Sequence, residues 1–405
     1  MGKQDANKSV SRGLNILRFG YFCNNLMFIV PVIVLIYTQK GITVGDFFLI
    51  QGIFRLAAFL FEIPSGYMSD CFSRKNVLIL GAIFSFFGFS TLALANGFFT
   101  IMLGEALLGI ASALNSGTLE AYTYDLMKRN KTQKQFLKEF GSIMTFGSTA
   151  SFIASVLGGI LFVNIGGNNI LWLEALFIII GISAFVFLPQ LTEVKRKVKH
   201  TTAIKDAIGI TYNTIKNPKL RNLILFPSLL GSFTIIMLWI MQPIMETVLI
   251  PVELFGFYIG LNQFSRIIFS KYAYKICDKY GDLNTSIITV LDIAIGLVIG
   301  ILMMHTTSMA LMYVLCAIMA ITPAMQSLNK LQYNSLIHHS IRSTERGTVL
   351  STKAMVSTIV GAVFLIVAKF LLDECGILAT LGVTFAMLIP LVWSLKKVST
   401  YLHQK

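Results

Sequence analysis

The sequence predicts an all-α membrane protein of twelve transmembrane helices in two six-helix halves, with both termini cytoplasmic. Three observations predict it. With 55% hydrophobic and 13% charged residues and a mean hydropathy of +0.74, the 405-residue chain is too apolar for an ordinary globular protein. Apolar stretches of about 20 residues, the length a helix needs to cross the hydrocarbon, recur from end to end without the alternation of a barrel strand. Most of the 33 Lys and Arg fall at the N-terminus, in the even-to-odd connections and at the C-terminus. That asymmetry retains those segments in the cytoplasm.

Taken in order, the predicted spans are residues 14–38, 46–68, 76–95, 98–126, 141–164, 170–189, 221–246, 253–275, 284–304, 308–336, 347–371 and 376–395. Residues 1–13 are polar and basic, but the apolar stretch behind them is too long for a signal-peptide core and lacks a small-residue cleavage site. It is expected to stay as the first span. The connections on the opposite side, around Asn96-Gly97, residues 164–169, 247–252 and 305–307, hold no Lys or Arg. The net charge of +14 therefore reads as orientation, and nucleic acid is not an expected partner.

The longest polar interruption, rich in lysine from Lys195 to Lys219, splits the spans six and six. It predicts an N-terminal half over 1–190, a cytoplasmic linker over 191–220 and a C-terminal half over 221–405. Within the linker, residues 203–215 fit either a short amphipathic helix on anionic lipid or a bare tether. A faint repeat supports related halves: Lys138-Glu-Phe-Gly-Ser142 resembles Thr344-Glu-Arg-Gly-Thr348, and Cys277-Asp-Lys-Tyr-Gly281 stands where Ser69-Asp-Cys-Phe-Ser73 stands. Cys23, Cys71, Cys277, Cys316 and Cys375 are odd in number and scattered, so neither a disulfide framework nor a metal site is expected.

Between spans two and three lies Glu62-Ile-Pro-Ser-Gly-Tyr-Met-Ser-Asp-Cys-Phe-Ser-Arg-Lys75, a compact charged turn between apolar runs. Its pattern Gly66-x-x-x-Asp70-x-x-x-Arg74-Lys75 resembles the signature loop of the major facilitator superfamily, and the twelve-span plan extends that resemblance over the chain. The resemblance implies that Gly66 lets helices approach closely, that Asp70 sits at the cytoplasmic start of span eleven, and that Arg74 pairs with an acid at the inner end of span four, where Asp125 is the match. Gly66, Asp70, Arg74, Lys75 and Asp125 would then form a conformational switch; the plain alternative is a solvated turn with orienting positive charges. The chain departs from the common pattern at Cys71 and Ser73. Glu62-Ile-Pro-Ser resembles the exporter-like branch, which includes drug antiporters, while Ala154-Ser-Val-Leu-Gly158-Gly159 keeps half of that branch's span-five motif. Gly147, Ser151, Ser155 and Gly159 form a small-residue seam of the kind that lets helices meet in lipid.

A charge at mid-bilayer costs about 2.5–3.5 kcal/mol on insertion scales, so each needs a partner, a wet cavity or a function. The basic set is Arg55, Arg266, Lys330 and Lys353; the acids include Glu62, Glu105, Glu120, Glu174 and Asp292. Glu174, Glu246 and Lys369 are expected near the outer interface. Polar stripes on spans two, four, eight and ten predict a cavity lined by Arg55, Gln263, Arg266, Asn329, Lys330 and Lys353, with Asn24, Asn25, Trp239 and Gln242 from spans one and seven. For each charge, a pair that merely locks two helices is the alternative, and Trp239 fits plain packing. Glu105, Asp292 and Glu120 are the candidates for proton coupling, because a carboxylate held in lipid can load and release a proton.

The resemblance implies proton-linked export of an amphipathic small molecule, such as an antibiotic or a peptide-like compound, by alternating access, from a bacterial cytoplasmic (inner) membrane. The cations favour a second reading, uptake or exchange of an organic anion, and a non-transporting receptor or scaffold is a third. Substrate, protons, lipid and a monomeric state are the expected partners. No cofactor, catalytic residue or metal is called for, since no nucleotide-binding loop, HExxH or GxSxG occurs.

Overall fold

The computed structural model describes residues 3–129, 131–191, 209, 211–341 and 346–402, and nearly all of them are helical. The helices are α1 (Lys3–Asn24), α2 (Ile33–Gln39), α3 (Val44–Cys71), α4 (Arg74–Leu94), α5 (Phe98–Arg129), α6 (Phe136–Ile165), α7 (Gly167–Val186), α8 (Pro218–Thr247), α9 (Val252–His305), α10 (Met309–Ile321), α11 (Gln326–Ser340), α12 (Arg346–Ala386) and α13 (Leu388–Leu402). Among the described residues, nine helical stretches are long and apolar enough to cross a membrane. Most of the linker called at 191–220, and with it the amphipathic or tether reading of 203–215, lies outside the described residues.

Two long helical runs are broken from within. Helix α9 is two helical limbs, 252–280 and 282–305, that meet at a non-helical Gly281 (φ 78°). Helix α12 breaks in the same way at Gly376 (φ 77°). Both are left-handed positions that a side chain would strain. The predicted first span is also interrupted. Helix α1 ends at Asn24, a turn follows in which the Met27 amide bonds back to Asn25, and a short 3-10 turn at Val30–Val32 restarts the helix with Pro31 in its first turn.

The expected turn between spans two and three is shorter than the sequence implies. Glu62 to Cys71 continue α3, Pro64 included, and only Phe72 and Ser73 separate it from α4. Lysines close two helix C-termini: Lys40 Nζ donates to the carbonyls of Ala93 (3.3 Å) and Ala95 (3.0 Å), and Lys75 Nζ to those of Val186 (2.6 Å) and Leu188 (2.9 Å). Burial pulls the Lys40 ammonium below its ordinary value. At the start of α8, the Asn217 side chain accepts from the amides of Lys219 and Leu220 ahead of the Pro218 turn.

The chain divides into two compact units. The first holds Met1–Ile42, Ile53–Arg196 and Val252–Phe257; the second holds Thr43–Gly52, Lys197–Pro251 and Tyr258–Lys405. In the first unit α4 packs against α5 and α7, and α1 against α6 and α7; in the second α8 packs against α11, α12 and α13. The small-residue seam of α6 is used for close approach. A β-carbon on Gly147 would strike the Tyr21 ring, Ser151 Oγ donates to the Asn25 carbonyl, and Gly159 lies against the carbonyls of Val252 and Glu253. Among the described residues no cysteine forms a disulfide.

Candidate functional site

Several charges of the first unit have partners. Arg74 pairs with Asp125 and donates to the Ala121 carbonyl (3.1 Å), so the acid at the inner end of α5 meets the arginine at the start of α4. Arg18 pairs with Glu139 and donates to Ser142 (3.1 Å). Glu105 is buried and accepts from the Tyr37 hydroxyl at 2.5 Å. Lys75 caps α7 as described. The close approach expected at Gly66 is not seen: among the described residues, a β-carbon there would meet no atom within 4 Å. The side chain of Asp70 lies outside the described residues, as does much of the Thr344–Thr348 repeat.

Glu174 corrects the interfacial expectation. It is 2% exposed, and its carboxylate accepts from the Ile29 amide (2.9 Å) and that of Phe28. The reason is the break in the first span: stopping α1 at Asn24 frees amides at the restart, and an acid at a helix N-terminus satisfies them. The sequence carried a signal for this in Asn24-Asn25 and Pro31. Around the same break, Asn25 donates to the Tyr21 carbonyl (2.7 Å), and Asn24 Oδ1 is buried without a hydrogen-bond partner among the described residues. Arg55 is half-buried in this unit and has no hydrogen-bond or ion-pair partner among the described residues. Glu120 is exposed.

The second unit gathers the other three cations. On α11, Ser327, Lys330 and Asn334 recur at i, i+3 and i+7 and so share one face. Ser327 Oγ donates to the backbone carbonyl of Arg266 on α9 (3.3 Å), and Asn334 Oδ1 accepts from Lys353 Nζ on α12 (2.6 Å). Lys330 stands between them, within electrostatic reach of Arg266, and Lys353 is within reach of Lys330. Neither Arg266 nor Lys330 has a hydrogen-bond or ion-pair partner for its side chain among the described residues. Lys330 is exposed, Arg266 half-buried and Lys353 buried.

Several residues assigned from sequence to a cavity wall are instead packed inside this unit. Asn329 is fully buried and donates to Thr289 on the second limb of α9 (2.6 Å), while Ser286 and Tyr333 share a hydrogen bond at 3.1 Å. Gln242 is 1% exposed, and Trp239 meets Phe47 edge to face at 5.4 Å. Helix packing took these faces, since α11 lies against the second limb of α9. Gln263 is half-buried, and its neighbour Asn262 donates to the Ala320 carbonyl (2.8 Å). Asp292 lies one turn beyond Thr289 on α9. Its Oδ2 is buried with no hydrogen-bond partner, and it forms no ion pair among the described residues. Asn329 Oδ1 and Gln332 Oε1 are likewise buried acceptors without a donor among the described residues.

A helical body built of membrane-length segments, with charges held inside them, is that of an integral membrane protein. The profile of the Major Facilitator Superfamily matches residues 16–365, and the chain belongs to that family of transporters. Relatives include an "Uncharacterized transporter" of Buchnera aphidicola subsp. Schizaphis graminum, 32% identical over 148 residues, 36% of each chain. The "Inner membrane transport protein YajR" of Escherichia coli is 30% identical over 137 residues, 34% of this chain and 29% of that one. The chain thus spans about a third of the length of these relatives. Among solved structures, the nucleoside transporter NupG superposes with a TM-score of 0.80 at 14% identity, covering 96% of this chain and 98% of that one. At that identity the likeness concerns the fold alone.

Proposed function

We propose that this chain is a twelve-span, proton-coupled transporter working by alternating access, and that it exports an amphipathic small molecule from the cytoplasm. The observation that carries the coupling is Asp292, a carboxylate inside a membrane span with a buried oxygen that no donor reaches. An acid in that setting, with no fixed cation beside it, is free to take up and give back a proton as access alternates. The breaks at Gly281 and Gly376 support the twelve-span count, because each divides a run too long for one crossing. The Lys and Arg distribution supports cytoplasmic termini, and the name of the Escherichia coli relative supports an inner membrane. Export rests on the resemblance at Glu62-Ile-Pro-Ser, and the Arg74–Asp125 pair supports a switch at the inner face.

Everted vesicles test the proposal. An imposed proton gradient should drive accumulation, and Asp292→Asn should abolish that drive by about 100-fold while leaving substrate counterflow intact. Gradient-driven accumulation that survives in Asp292→Asn would remove the proton role from this residue. The cations of the second unit favour a second reading, uptake or exchange of an organic anion; anion counterflow with no response to a proton gradient would select it.

A further inference from the structure

We infer that Arg266, Lys330 and Lys353 form the subsite for an anionic group, a phosphate or carboxylate, on the transported molecule. This rests on the transport function proposed above and names the chemistry of what is carried. Three helices contribute one cation each, and α11 holds them in register: Ser327 touches the Arg266 backbone one turn before Lys330, and Asn334 binds Lys353 one turn after it. The three positive charges are neighbours with no carboxylate paired to any of them among the described residues. Asp292 does not neutralise them, and Lys369 takes both Asp46 and Asp373.

Such a cluster is costly as it stands. Each charge carries an insertion cost and repels the next. A structural role would be served better by a cation and an acid, as Arg74 and Asp125 are, or by three apolar side chains. What three converging cations accomplish, and a pair cannot, is to surround a multiply charged oxyanion. The guanidinium of Arg266 presents a planar fork for two oxygens, and the lysines add point charges. Lys353 uses one ammonium hydrogen on Asn334, which aims it and leaves two for a ligand. Lys330, the central member, is exposed. It also lies seven residues from Ile337, where the membrane-length stretch ends, about 10 Å along the helix and inside the hydrocarbon. That depth favours a dissolved anion over a lipid.

The test is thermal unfolding of the full chain in an uncharged maltoside detergent, titrated with inorganic phosphate, pyrophosphate or citrate against chloride at equal ionic strength. Saturable stabilisation by the multivalent anions is expected, with apparent affinity weakened about tenfold or more in Arg266→Ala and in Lys330→Met. The unliganded Lys330→Met protein should unfold at the same temperature as the parent or a higher one, because a repelling charge has gone; a clear loss would assign the lysine to the scaffold and overturn the inference. So would anion stabilisation no better than chloride, or equal in the variants. Stabilisation by added phosphatidylglycerol but by none of the three anions would make the cluster a lipid site and overturn it too. Proton-driven flux with no anion binding would leave the transport function standing and remove this substrate class. Anion binding without proton-driven flux would do the reverse.

Discussion

In the first unit Arg18, Arg74, Asp125 and Glu139 are paired, Glu174 is held by two backbone amides and Glu105 by a tyrosine; in the second, Arg266, Lys330 and Asp292 sit inside helices with no ion pair among the described residues. Arg55 and Glu62 depart from that division in the first unit, as half-buried charges whose side chains have no hydrogen-bond or ion-pair partner among the described residues, and Lys369, paired with Asp46 and Asp373, departs from it in the second. Similar charges thus serve different ends. A charge whose every oxygen or hydrogen is occupied has one stable arrangement, and its removal is felt as lost stability. One left unoccupied in the resting chain adds nothing to stability and remains available to a ligand or a proton.

The contrast breaks most readily at Glu174. Glu174→Ala leaves the Ile29 and Phe28 amides buried without an acceptor, and should cost about 2–5 kcal/mol of stability. Glu174→Gln keeps an acceptor oxygen and should recover part of it. Thermal unfolding in detergent and the yield of folded protein measure both. If Glu174→Ala were as stable as the parent, a filled hydrogen-bond shell would not mark a structural charge, and the comparison would fail. The next effect is smaller. Arg74 and Asp125 are partly exposed, so Asp125→Ala should cost about 1–2 kcal/mol, between the values of surface and buried pairs. If the pair also opposes opening of the inner face, Asp125→Ala should change cysteine accessibility there, and Arg74→Ala should produce the same change.

Much of this was legible in the sequence, and the parts that were not share a cause. The pairing of Arg74 with Asp125 was readable because both lie at helix ends, where the motif and the span boundaries fix their neighbours. Glu174 was misplaced because its partner is backbone, exposed only by the break between Asn24 and Val30; a count of apolar residues sees one continuous span there. Asn329 was assigned to a cavity from the polar stripe on α11, but the stripe has two edges. One carries Asn329 and Tyr333 into Thr289 and Ser286, and the other carries Ser327, Lys330 and Asn334 toward Arg266 and Lys353. Periodicity identifies a polar face without saying which neighbour receives each edge. Asp292 was legible as an acid in lipid, but its lack of an ion pair needed coordinates.

The smallest expected effect comes from Lys369, which separates the two kinds of charge within one unit. It lies between Asp46 (2.9 Å) and Asp373 (2.6 Å), both partly open to solvent. Here α3 begins close against α12: a β-carbon on Gly45 would strike the Asp373 carboxylate, and one on Gly52 would meet Ile366. Packing of that kind should hold the segment without the ion pairs. Lys369→Met should therefore cost about 1 kcal/mol or less, mainly from the two carboxylates left facing each other. The double variant Lys369→Met with Asp46→Asn should regain most of that loss. At 1 M salt, where the screening length falls to about 3 Å, the difference between parent and single variant should nearly vanish. A loss of several kcal/mol that persists in high salt would instead place Lys369 with Glu174, among the charges that the fold cannot do without.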